Sequence, residues 1–204
     1  MTADKTQVLA HRGYRSKSSN SDGAVVFSAV ADGATKNQVF LCYWGSWSHY
    51  RDGAGKFSVD NIDASLCTHL VYAFAKLDNG VIAAFDPYLD LKDNYGLGMY
   101  EKVNQLKVAH PHLKTLLAIG GWNEGSVKYS QMASTPAGRQ RFAQSVVAFL
   151  DKYGFDGLDF DWEYPAARGG VPQDKENFVL LLQELRSVLE PKGRLLTAAV
   201  SADR

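Results

Sequence analysis

Residues 156–165 read DGLDFDWEYP, and they restrict the folds open to this chain more than any other stretch. Four of the ten are acidic, Asp156, Asp159, Asp161 and Glu163, and they sit among Leu158, Phe160, Trp162 and Tyr164. A solvated acidic face would not carry so many large apolar side chains, and a plain core strand would not carry so many carboxylates. An extended strand reconciles the two, because residues two apart face the same way. Asp159, Asp161 and Glu163 then line one face, pointing into a concave interior. Leu158, Phe160 and Trp162 line the other, where helices can cover them. Asp156 has the opposite parity and sits near the start of the strand.

Other segments supply the rest of such a sheet. From Lys36 onward, apolar runs at 39–47 (VFLCYWGSW), 68–77, 112–122 and 194–202 alternate with helical patterns. Continuous apolar runs of this length suit parallel strands covered on both faces. Met99, Val103 and Leu106 recur at helical spacing. Thr135, Pro136 and Gly154 are a cap, a first turn and an exit around the stripe Phe142, Val146, Phe149 and Leu150. A last helix over about 174–189 turns Phe178, Leu181, Leu182 and Leu185 inward, and Pro191 ends it. Strand–helix alternation predicts an α/β fold, either a doubly wound sheet or a barrel.

Lys plus Arg equals Asp plus Glu, 22 each, over 204 residues. Neutrality argues against a nucleic-acid or anionic-membrane partner held by bulk charge. No run of about 18 apolar residues exists, so no membrane-spanning helix is expected. Gly53-Ala54-Gly55-Lys56 lacks the spacing of a phosphate loop and reads as a surface turn. Cys42 and Cys67 are too few for a disulfide scaffold, and two buried thiols or one bridge both remain open. Residues 1–23 are polar and partly basic, and the apolar run AVVFSAVA at 24–31 is short for a signal peptide. Residues 1–37 therefore read as a leader, disordered or poorly signal-like.

The carboxylate row is costly. Neighbours on it lie about 6.6 Å apart and repel by roughly 2–3 kcal/mol when both are ionised, at an effective dielectric of about 20. Such a row has to retain a proton near neutral pH, which suits general acid catalysis. Its outermost member, Glu163, lies at the C-terminal end of its strand, where α/β folds place their sites. A divalent-cation site and a purely structural network are the competing readings. Tyr43, Trp44, Trp47, Trp122, Trp162 and Tyr164 gather at strand ends, where exposed rings suit sugars, although core packing is the better reading of Trp162.

The pattern Asp156-x-x-Asp159-x-Asp161-x-Glu163 resembles the signature of glycoside hydrolase family 18, the chitinases and chitinase-like lectins, with the arthropod type most similar. FLCYWGSWSHYRDGAGKF (40–57), LCTHLVYAFAKL (66–77) and LLAIGGWNEGS (116–126) resemble the family's first three strands in order. The resemblance implies a (β/α)8 TIM barrel, incomplete here because about five of eight strands are readable and a full barrel takes about 250 residues. It divides the chain into the leader, 1–37, and a partial catalytic domain, 38–204. Five strands would leave the outer edges of the first and fifth unpaired.

For function, the resemblance implies hydrolysis of β-1,4 N-acetylglucosamine linkages in chitin by a substrate-assisted retaining mechanism. Glu163 would be the general acid, Asp161 would orient the substrate acetamide, Asp159 would share a proton with Asp161, and Asp156 would be structural. Tyr43, Phe74, Gly121, Trp122 and Tyr164 match positions lining the central subsites, and Trp47 matches an outer stacking position. Cys42 and Cys67 match a family disulfide. Ala118 stands where many members carry a Ser that hydrogen-bonds the inner carboxylates. No cofactor or metal is implied. The partner would be chitin or chito-oligosaccharides, with no nucleic acid or membrane, in an extracellular protein that is monomeric when complete. The alternative is a non-catalytic chitin-binding lectin on the same fold, and the chain by itself reads as a fragment.

Overall fold

A computed structural model describes residues 39–201 together with two short strands nearer the N-terminus, β1 (Leu9–Arg12) and β2 (Ala24–Val26). The remaining strands are β3 (Leu41–Gly45), β4 (His69–Asp78), β5 (Val81–Ala84), β6 (Lys114–Gly120), β7 (Gly157–Asp161) and β8 (Leu195–Val200). The helices are α1 (Pro87–Asp90), α2 (Met99–Ala109), α3 (Val127–Ala133), α4 (Pro136–Tyr153) and α5 (Asp174–Leu189).

Five strands, β3, β4, β6, β7 and β8, run parallel in that spatial order and make a half-barrel. This bears out the partial (β/α)8 reading. β5 returns antiparallel on β4 through the turn at Asn79 and Gly80. The expected bare edges are not found along the stretches described: β1 pairs parallel with β8 from Leu9↔Thr197 to Arg12↔Val200, and β2 pairs antiparallel with β3. The backbone groups of a sheet edge bond any strand brought alongside, and these short leader segments take that place. The rest of the leader, with its expected disorder, lies outside the described residues.

Helix α4 forms where the sequence places its signals. The Thr135 hydroxyl accepts the Gly138 N–H at 3.1 Å, Pro136 opens the first turn, and Gly154 leaves it at φ 78°. Phe142, Val146 and Leu150 are fully buried, and each such side chain contributes about 1.5–3 kcal/mol of transfer free energy. The core beneath the helices collects the outward faces of the strands: Phe160 packs its ring against Tyr129 of α3, Phe142 of α4 and Phe178 of α5. A second, inner layer holds Leu41, Val71, Ala73, Leu116 and Ala118, packed against Tyr43 and Phe74. Barrel interiors are layered in this way by side chains from successive strands.

The bridge between Cys42 on β3 and Cys67, two residues before β4, is present, with Cα atoms 5.9 Å apart. Among the described residues no helix is long and apolar enough to cross a membrane.

Candidate active site

The site is built where β6 and β7 end. Gly120 and Gly121 have φ of 117° and 83°, a region that side-chain-bearing residues rarely occupy. Gly121 donates its N–H to the Asp161 carbonyl at 2.8 Å. A Cβ on Gly120 would run into that carbonyl, and one on Gly121 would stand 2.9 Å from the Phe74 ring. Two glycines therefore let the exit of β6 lie against the exit of β7, and Trp122 follows, lining the same cleft as Glu163.

Register sets the row itself. Ala118, Asp159 and Thr197 are aligned across β6, β7 and β8. Asp159 is fully buried and accepts the hydroxyls of Tyr43 on β3 and Thr197 on β8, one on each carboxylate oxygen. Buried carboxylates need such donors. Thr197 thus brings a hydroxyl from β8 to the row, on the opposite side from Ala118. Asp161 is buried two residues further along, and Glu163, half-buried just past the strand, reaches the cleft. The opposite face behaves as expected: Leu158, Phe160 and Trp162 are all buried.

The segment after Glu163 is tied down from below. The Trp162 indole N–H donates to the Ser126 hydroxyl at 2.9 Å, and that hydroxyl donates to the Tyr164 carbonyl at 3.0 Å. Asp174, fully buried at the start of α5, accepts the Ser130 hydroxyl at 2.7 Å and the Val171 N–H at 2.8 Å. Asp156 lies apart from the row, at the start of β7. It accepts the Thr115 N–H at 2.8 Å and the Lys107 ammonium at 3.0 Å. Burial would raise its pKa, but these donors outweigh burial and hold it below the usual carboxylate range.

Above the row opens a cleft of about 730 Å³, the size of many small-ligand sites. Glu163, Gly121, Trp47, Phe74 and Trp122 all line it. Trp47 is stacked on Phe74 at 5.9 Å and 10°, and Trp47 and Trp122 are each about half exposed. Tyr43 donates to Asp159, and the Tyr164 carbonyl accepts the Ser126 hydroxyl. Residues that the sequence did not single out complete the wall, among them Tyr50, Phe85 and Asp86. Tyr50 donates to Asp86 at 2.6 Å, and this bond pushes the tyrosine up to about 12. Thr197 was also missed, although it is the one polar residue in the run LLTAAV and its parity would have flagged it. Among the described residues no three His, Cys, Asp or Glu side chains converge to hold a metal ion.

The parallel half-barrel is also what known proteins share with this chain. The sequence model of glycosyl hydrolases family 18 matches residues 39–204, and the chain belongs to that family. It is 50% identical over 178 residues to probable chitinase 2 of Drosophila melanogaster, covering 86% of this chain and 37% of that protein. The group IV chitinase of Ostrinia furnacalis, solved in complex with allosamidin, superimposes with a TM-score of 0.77 at 49% identity, covering 81% of this chain and 44% of that one. Human YKL-39, a pseudo-chitinase with retained chitooligosaccharide binding, superimposes with a TM-score of 0.66 at 34% identity over 79% of this chain and 43% of its own. The chain thus spans well under half the length of these relatives.

Proposed function

We propose that residues 38–204 carry the acid-bearing part of a chitinase, a glycosidase that cleaves β-1,4 N-acetylglucosamine linkages with retention. One observation carries this reading: Glu163 alone of the row reaches the cleft wall, while Asp159 and Asp161 are buried behind it. Glu163 protonates the glycosidic oxygen as the bond to the anomeric carbon breaks. The carbonyl oxygen of the substrate's own N-acetyl group attacks that carbon, forming an oxazolinium ion in place of the enzyme ester of the two-carboxylate scheme. Asp161 orients the acetamide and balances its positive charge, and Asp159, held by Tyr43 and Thr197, shares a proton with Asp161. Glu163, now ionised, takes a proton from the water that opens the intermediate. Asp156 is structural, consistent with its ties to Thr115 and Lys107.

Trp47, Phe74 and Trp122 offer ring faces to the sugars of chitin or chito-oligosaccharides. Tyr43, Gly121 and Tyr164 match positions that line the central subsites. No cofactor or metal takes part. The Cys42–Cys67 bridge supports an extracellular setting, where disulfides persist, and the complete protein is a monomer.

The second reading is a chitin-binding lectin, favoured by the binding-only relative that shares the fold. Glu163→Gln separates the two, tested in a chain continued through eight strands. For a hydrolase, the substitution abolishes release of fluorophore from a chitobioside while oligomer binding is kept. Retention of more than about a tenth of the rate overturns the assignment, because loss of a general acid costs at least about 10²-fold. Binding without turnover in the unsubstituted protein selects the lectin.

A further inference from the structure

The loop after Glu163 sets an exposed cation against an exposed aromatic. The Arg168 guanidinium lies over the Trp122 indole, 3.7 Å from the ring centroid. The same side chain donates through Nη1 to the Trp122 carbonyl at 2.5 Å and to the Glu163 carbonyl at 3.2 Å. One guanidinium therefore holds the ring and backbone of Trp122 together with the backbone of Glu163. The planar, multi-donor head of arginine suits this combination of stacking and forked donation.

The loop is shaped for it. Ala166 and Arg168 have φ of 66° and 52°, unfavourable for residues with side chains and kept only where surroundings enforce them. Asp174 enforces them by accepting the Val171 N–H, and Ala167 donates to the Tyr164 carbonyl at 3.0 Å. On the other partner, Trp122 stands in a short turn between Gly121 and Gly125, with φ of 83° and 64°, and its side chain is 52% exposed. Trp122 lines the cleft, and the guanidinium covers one of its two ring faces.

We propose that Arg168 is a positioning residue: it clamps Trp122 so that the open indole face meets the cleft at a fixed distance from the backbone of Glu163. The inference deepens the chito-oligosaccharide reading of the cleft and rests on it for its effect on affinity.

The test uses the 204-residue chain. Trp44 and Trp162 are 1% and 2% exposed, so acrylamide quenching of the free protein reports Trp47 and Trp122, and a Trp47→Phe background isolates Trp122. In that background Arg168→Ala is expected to about double the collisional quenching, because two ring faces instead of one meet the quencher, and Arg168→Lys is expected to do the same despite keeping the charge. Quenching unchanged in Arg168→Ala, or fully restored by Lys, overturns the clamp. In the Trp47 background of the natural sequence, calorimetric titration with N-acetylchitohexaose should show Arg168→Ala and Trp122→Ala each weakening binding by about three- to tenfold, with the double variant no weaker than Trp122→Ala alone. Additive losses overturn the coupling. An unsubstituted chain that binds no oligomer sinks the reading of the cleft instead, and quenching still decides the role of Arg168.

Discussion

Asp90, 1% exposed at the end of α1, accepts the Tyr72 hydroxyl at 2.5 Å and the Asp86 N–H at 3.0 Å. Burial outweighs these donors and pushes its carboxyl up from 3.8 to about 6. A raised folded-state pKa means that the protonated form is favoured by folding. Its contribution is fully present below the ordinary value of 3.8 and is lost as pH rises through about 6. Asp156 works in the opposite sense: its lowered pKa contributes above the ordinary value and is lost as pH falls. Asp90→Asn should therefore remove a decline in stability of about 3 kcal/mol between roughly pH 4 and 6. Urea midpoints measured across that range check the slope, which is independent of any constant offset from the altered contact with Asp86. An unchanged slope would show that Asp90 does not titrate there.

At the scale of elements, the Cys42–Cys67 bridge closes a separation of 25 residues between the start of β3 and the start of β4. In the chain-entropy account such a loop contributes about 3–4 kcal/mol. Non-reducing peptide mapping should recover the linked pair, and Cys42→Ser/Cys67→Ser should lower the melting midpoint by several degrees; two freely alkylatable thiols would refute the bridge in solution. The long parallel strands and helices α2, α4 and α5 were legible from their apolar period, with a cap and exit added at α4 and a breaker, Pro191, just past α5. β5 was not: Val81–Ala84 is four residues long and ends in two alanines, so only the Asn79-Gly80 turn signalled a hairpin. Helix α3, VKYSQMA, was hidden by polar residues that turn out to be buried or tied, such as Ser130 on Asp174. In the site, the row on β7 was readable by parity alone. Thr197 carried the same kind of signal, as the one polar residue of LLTAAV, whereas Arg168 carried none, because its contacts are with a partner 46 residues away.

The described residues form a half-barrel whose outer strands β3 and β8 are accompanied by β2 and β1. Removing residues 1–37 would strip both and present two rows of unsatisfied backbone groups flanked by runs such as LLTAAV, a template for association. The shortened chain should sediment as aggregates under conditions where the full 204-residue chain does so less, and velocity sedimentation compares them directly. Equal behaviour would show that the two leader strands give no protection. This pairing was not legible in the sequence, since three or four residues carry no period long enough to read.

The two hydroxyls on Asp159 also impose an order on biosynthesis. Tyr43 leaves the ribosome 116 residues before the carboxylate it bonds, whereas Thr197 follows it by 38. At about 5–20 residues per second, that lag lasts roughly two to eight seconds. During that interval the nascent chain holds the sheet from β3 to β7 but lacks the hydroxyl of β8. The inner carboxylate can take up its final surroundings only once Thr197 has followed it off the ribosome, so the carboxylate row is the last part of the sheet interior to be completed.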